Sequence, residues 1–124
     1  MPGMVDKARK VRAYKTGIEA ENHAATMLAD RGFSILGRRF RSPAGEIDLI
    51  ATRGSQLAFV EVKARRTLVD AAWSLTPRQQ KRIADAASHW LQCFPEYGEC
   101  DITFDAILVA PRQHPEYIPD AFRL

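Results

Sequence analysis

The stretch that most limits how this chain can fold runs from Gly45 to Arg66: "GEIDLIAT", the turn "RGSQ", then "LAFVEVKARR". Two β-prone runs joined by a short Gly/Ser turn predict a hairpin. Side chains two apart on a strand share a face. In the second run the even positions Ala58, Val60, Val62 and Ala64 are all apolar, while the odd positions go Leu57, Phe59, Glu61, Lys63, Arg65. The even face is therefore core, and the odd face begins buried and ends charged. The same rule puts Glu46 and Asp48 on one face of the first run. If the two strands are antiparallel neighbours, the start of one lies beside the end of the other, and Asp48 can meet Glu61.

Two neighbouring carboxylates repel, and near an apolar layer they take up protons unless a cation sits between them. Hard oxygen ligands of this kind suit Mg²⁺ or Mn²⁺, which are bound by one or two carboxylates together with substrate phosphate. Lys63, one strand step from Glu61, supplies an ammonium that can orient an attacking water or stabilise charge building on a phosphoryl group. Each residue alone has a plainer reading. Glu61 and Lys63 can mark an exposed strand face, Glu46 and Asp48 can be turn and edge residues, and Glu21 can form a structural salt bridge with Lys63. The joint pattern, in strand phase and in basic surroundings, points to a metal-dependent phosphodiester site.

The other elements can be placed around this hairpin. "YKTGIEAENHAATMLADR", Tyr14 to Arg31, reads as a helix stopped by Gly32. Its apolar stripe of Ile18, Ala24, Ala25 and Leu28 centres on Glu21, whereas Glu19 points elsewhere. "FSIL" predicts a short strand, and "GRRFRSPAG" after it has the residues of a turn. "TPRQ" opens a second helix, with Thr76 as N-cap, Pro77 at the first helical position and Gln79 at the capping-box position. Ile83, Ala86, Ala87, Trp90 and Leu91 form its buried face, and Pro95 lies past its end. "ITFDAILVA" is a fourth strand and "EYIPDAF" a short tail. The order predicts an α/β sandwich around a mixed sheet. Residues 1–12 read as a flexible basic arm and 13–124 as one domain.

Charge sharpens the choice of partner. Of the 18 Lys and Arg, 16 lie in residues 1–82 with 8 of the 15 acids, so that part carries +8 and the remainder −5. Such a basic half suits a polyanion, because neutralising phosphates releases counterions. Cys93 and Cys100 do not make a disulfide framework, and with no fitting His partners they do not suggest zinc. Reduced thiols, no secretory signal and no run approaching the ~20 apolar residues of a membrane span lead us to expect a cytoplasmic protein without membrane insertion. His23, His89 and His114 are scattered and read as surface or packing residues. Neither a Gly-rich phosphate loop nor a nucleophile elbow occurs. Trp73 and Trp90 read as core or rim, with Trp73 beside the basic "KARR" exit.

These residues resemble a known family. "GEIDLIA" followed by "FVEVKARR" is similar to the signature of the PD-(D/E)XK nuclease superfamily, and more closely to that of the uncharacterised bacterial YraN-like family. The likeness covers almost the whole chain, taking in Gly17, Glu21 and Ala24 of the first helix, Gly32 and Phe33, "TPRQQKR", Phe104 and Asp105, and Asp120 to Phe122. It implies a restriction-endonuclease-like α-β-β-β-α-β core with a central mixed sheet flanked by helices. It also implies that Asp48 and Glu61 are metal ligands, that Lys63 is the catalytic lysine, and that Glu21, whose place on an apolar helix face already offers it as a further ligand or general base, is an accessory acid. Glu46 matches an acidic position of less defined role. The chain departs from the family's usual residues at Gln79 (Lys), Arg39 (Asn) and Thr103 (Arg), none of them in the catalytic set.

The expectation is a Mg²⁺- or Mn²⁺-dependent endonuclease acting on nucleic acid, DNA before RNA, with branched or damaged DNA as candidate forms and a homodimer left open. Arg38, Arg39, Arg41, Arg65, Arg66, Arg78, Lys81 and Arg82 would hold the phosphate backbone, positioning it without reading sequence, with Gln80 at the edge of the site. The competing expectation is a non-catalytic module on the same fold that grips nucleic acid or a protein.

Overall fold

The computed structural model describes residues 17–123. The arm expected over residues 1–12 and the start of the first helix lie outside them. Residues 17–30 form helix α1, which stops where Gly32 takes φ 89°, a conformation that costs glycine nothing. The elements that follow are β1 (Ser34–Arg41), β2 (Glu46–Arg53), β3 (Gln56–Ala64), α2 (Leu68–Trp73), α3 (Pro77–Cys93), a 3₁₀ turn (Pro95–Tyr97), β4 (Asp101–Val109) and β5 (Glu116–Phe122).

The strands form one five-stranded sheet in the order β1-β2-β3-β4-β5. β1/β2, β2/β3 and β4/β5 are antiparallel, and β3/β4 is parallel. A parallel pair needs a crossover, and α2 and α3 supply it. The expected mixed sheet flanked by helices, in the order α-β-β-β-α-β, is therefore present, with α2 and β5 added.

Strand phase decides which helix covers which face. Ala58, Val60, Leu49 and Ala51 pack with Ala24, Ala25 and Leu28 of α1, with Val62 beside them. Leu57, Phe59 and Ile50 pack on the other face with Ile83, Ala86, Ala87 and Trp90 of α3. At ~25 cal/mol per Å² of buried apolar surface, these two layers are the main source of stability. Trp90 is core, whereas Trp73 is 81% exposed.

Three details differ from expectation. β1 continues through Gly37 to Arg41, so the turn shrinks to Ser42–Gly45, closed by Ser42 N–H to the Gly45 carbonyl at 2.9 Å and Gly45 N–H to the Ser42 carbonyl at 3.2 Å. Arginines fit there because β1 is an edge strand whose outer face meets water. Helix α2 has only six residues, too few to show a helical period, and is started by Thr67, whose hydroxyl accepts from the Asp70 amide. The tail is edge strand β5, which carries Pro119 at an irregularity between its paired positions.

The capping box of α3 is half formed. The Thr76 hydroxyl accepts from the Gln79 amide at 3.3 Å, but Thr76 N–H donates to the Ser74 carbonyl, and Gln79 Oε1 is buried without a partner.

Candidate active site

The β2/β3 ladder runs from Arg53↔Gln56 to Leu49↔Val60 and stops. Beyond that point β2 stays paired with β1 as far as Arg41↔Glu46, and β3 stays paired with β4 as far as Ala64↔Val109. The two strands thus open into a fork. Asp48 is the first β2 residue beyond the last ladder pair, and its Oδ2 accepts from the Val62 amide at 2.8 Å. A side chain here takes the backbone donor that the ladder leaves behind, which fixes one carboxylate oxygen.

Glu61 stands opposite on β3, its side chain only 12% exposed. Burial raises its pKa to about 10, helped by a hydrogen bond to Asp48 and by that residue's charge, and opposed by the Lys63 ammonium. At neutral pH Glu61 therefore favours its protonated form beside Asp48. Lys63 is 11% exposed at its side chain, with Nζ 3.9 Å from Glu61 Oε1.

Glu21 is at the edge of this cluster. Its pKa is raised, first by burial and also by the charges of Asp48 and Glu46, against the pull of Arg39. Its carboxylate accepts from Arg39 Nε at 2.6 Å. Glu46 lies farther out, half exposed, with Arg41 Nε at 3.8 Å across the β1/β2 pair. The structure thus gathers Asp48, Glu61 and Lys63 into one nook and keeps Glu21 and Glu46 within their electric field. Among the described residues, no group of three or more His, Cys, Asp or Glu side chains is assembled to hold a metal ion.

A divalent cation still suits the pair. Two convergent carboxyls, one fixed by a backbone amide and the other nearly buried, are hard oxygen donors of the kind such an ion takes.

The basic residues behave in several ways. Arg38 Nη1 donates to Asn22 at 3.0 Å, Lys81 pairs with Asp85 at 2.9 Å, and Arg82 Nε donates to the Ala44 carbonyl at 3.4 Å. Arg65, Arg66 and Arg78 are exposed. Gln80 spends its amide on the Leu75 carbonyl at 3.2 Å, which ties down the start of α3. A cavity of about 790 Å³ on another flank of α1, lined among others by His23, Arg65, Arg66, Arg112 and His114, contains none of the carboxylates of the fork. His23, His89 and His114 are exposed. Cys93 and Cys100 are free thiols.

One positioning residue escaped the sequence reading. A Cβ on buried Gly45 would come within 2.9 Å of the Arg82 carbonyl, so only glycine lets α3 sit this close to the turn that launches β2. Its place at the head of "GEIDLIA", next to a Ser-Pro turn, was the available signal. Among the described residues, no helix is long and apolar enough to cross a membrane.

A model of the uncharacterised protein family UPF0102 matches residues 20–109. A UPF0102 protein of Rhodopseudomonas palustris (strain BisB18) is 54% identical over 113 residues, covering 91% of this chain and 84% of the relative. One from Bradyrhizobium sp. (strain ORS 278) is 51% identical over 121 residues, covering 98% and 86%. Among solved structures, that of Archaeoglobus fulgidus Hjc, a Holliday junction resolvase from an archaeal hyperthermophile, is similar with a TM-score of 0.49 and 17% identity, covering 83% of this chain and 76% of that one.

Proposed function

The chain belongs to the uncharacterised protein family UPF0102, the YraN-like family that its central motifs resemble, and from its carboxylate fork we propose a divalent-metal-dependent nuclease. The carrying observation is the nearly buried Glu61 facing Asp48, which is pinned by the Val62 amide, with the Lys63 ammonium 3.9 Å from Glu61. We take Mg²⁺ or Mn²⁺ as the ion and nucleic acid as the substrate class, with DNA tested first.

When bound between Asp48 and Glu61, the ion would polarise a phosphoryl oxygen and lower the pKa of a coordinated water. The protein does the remainder. The Val62 amide holds Asp48 in place at the head of the fork. Glu61, nearly buried opposite Asp48, would be the second carboxylate holding the ion. Lys63 brings a nearly buried ammonium within reach of a phosphate oxygen, where low exposure strengthens its effect on developing charge. Glu46 adds negative field at Glu61. The exposed Arg65, Arg66 and Arg78 would grip flanking phosphates.

The test is cleavage of plasmid and branched DNA with Mg²⁺ or Mn²⁺ by wild type, Asp48→Ala and Lys63→Ala. Each variant is expected to lose about 10³-fold or more in rate. Full activity in both variants would sink the assignment.

A second reading has its own support. With no third acid gathered at the pair among the described residues, the fold could grip nucleic acid without cutting it. Salt-dependent DNA binding that Arg65→Ala and Arg66→Ala weaken, together with no Mn²⁺ binding at millimolar metal, would favour that module.

A further inference from the structure

The fork already has a cation on its helix side, contributed by the chain. Arg39 is on β1 between the pairs Arg38↔Leu49 and Phe40↔Ile47, which sets it beside the Asp48 position of β2. Its φ is 52°, a left-handed conformation that residues with side chains adopt rarely and that persists only where the surroundings enforce it. From there its Nε reaches Glu21 Oε2 at 2.6 Å, between side chains only 29% and 14% exposed. A guanidinium cannot lose its proton, and a short charge-assisted bond in a half-buried setting is among the stronger polar contacts a protein makes.

Glu21 is thereby committed. The carboxylate that could have served as a third ligand has its charge matched by Arg39, in agreement with the lack of any assembled three-acid group among the described residues.

We propose that Arg39 is a positioning residue that acts as a built-in cation: it withholds Glu21 from coordination, so the fork takes one divalent ion, held by Asp48 and Glu61. This rests on the metal reading above. Removing the guanidinium frees Glu21 beside Asp48 and creates room and charge for a second ion or a tighter first one.

Mn²⁺ binding to the full chain, followed by calorimetry and by the electron paramagnetic resonance of the bound ion, tests this without turnover. Wild type is expected to bind one Mn²⁺, lost in Asp48→Asn, and Glu21→Gln should leave that binding unchanged. Arg39→Gly is the informative variant, because glycine accepts the left-handed backbone that Ala would strain. It should bind a second Mn²⁺ or hold the first about tenfold more tightly. Arg39→Lys should stay at one ion, and Arg39→Gly with Glu21→Gln should return to wild-type binding.

Unchanged stoichiometry and affinity in Arg39→Gly would overturn the inference while leaving the metal site standing. So would a tenfold loss from Glu21→Gln alone, since Glu21 would then be a ligand despite its pairing. A wild type that binds no Mn²⁺ removes the metal reading and this inference with it.

Discussion

Asp105 on β4 is fully buried, and its two oxygens accept from the Tyr117 hydroxyl at 2.5 Å and the Asp120 amide at 2.8 Å, whereas Glu61 on neighbouring β3 faces another carboxyl. Both acids mark places where strand pairing is interrupted. At Asp105 the β4/β5 register shifts between Phe104 and Ala106, and the carboxylate takes the Asp120 amide that the irregular strand presents, at a residue with φ 51°. At Glu61 the β2/β3 ladder has just ended, and Asp48 has taken the Val62 amide. Donors fixed to the frame make Asp105 part of the architecture. Glu61 has another acceptor opposite it, and burial first, then Asp48, raises its pKa to about 10.

The contrast is broken most directly at Asp105. Asp105→Ala removes the fully buried acceptor of the Tyr117 hydroxyl and the Asp120 amide together with a packed group. The expected loss is about 3 kcal/mol in urea unfolding, with faster amide exchange along β5. Less than about 1 kcal/mol would mean that Asp105 does not hold the edge strand.

How far these two regions could be read from sequence differs for a physical reason. Period-two alternation placed Glu61, Lys63 and Asp48 correctly, because the strand period fixes which side chains share a face and the "RGSQ" turn fixes which strand ends meet. The same reasoning put Glu21 on the inner stripe of α1, where it is. It gave Arg39 to the phosphate backbone and did not pair it with Glu21, because it read "GRRFRSPAG" as a turn, and only the cross-strand partner β2 makes Gly37 to Arg41 a strand. Nor did it give Asp105 a role: "FD" and "DAF" are 15 residues apart where the Asp120 amide meets the Asp105 carboxylate, and nothing local announces that bond. Helix α2 was missed because six residues are under two helical turns. Contacts set by periodicity were legible, and those set by tertiary pairing were not.

Glu61→Gln tests the other half of the contrast and has the opposite sign. The ordinary glutamic pKa is 4.5 and that of folded Glu61 is about 10, so the folded chain keeps a proton that the unfolded chain gives up. A raised folded value means that the group's contribution is fully present below pH 4.5 and is lost as pH climbs toward about 10. In chelator, the Tm of wild type should therefore fall between pH 5 and 9 by more than that of Glu61→Gln. At pH 8 the variant should be the more stable by about 1–2 kcal/mol. Adding Mn²⁺ should raise the wild-type Tm and leave the variant's unchanged. Parallel pH profiles for the two proteins would show that Glu61 is as well satisfied as Asp105.

The smallest effect comes from taking one donor away from the satisfied acid. Tyr117 packs edge-on against Phe33, with ring centroids 6.4 Å apart, and lies under the Arg31 guanidinium. Tyr117→Phe keeps this packing and deletes only the hydroxyl, so about 1 kcal/mol should be lost at neutral pH. Burial, then the hydrogen bond to Asp105, then that residue's charge raise the Tyr117 pKa well above the ordinary phenol value of 10.0. The folded chain thus holds the phenol proton after the unfolded chain has released it, and wild-type stability should fall with pH above 10, a decline that Tyr117→Phe lacks. If both proteins lose stability together across that range, the hydroxyl is not bound to Asp105 in solution. The backbone amide of Asp120 would then be the one donor of the pair holding that carboxylate, and the two buried acids would differ less than their surroundings suggest.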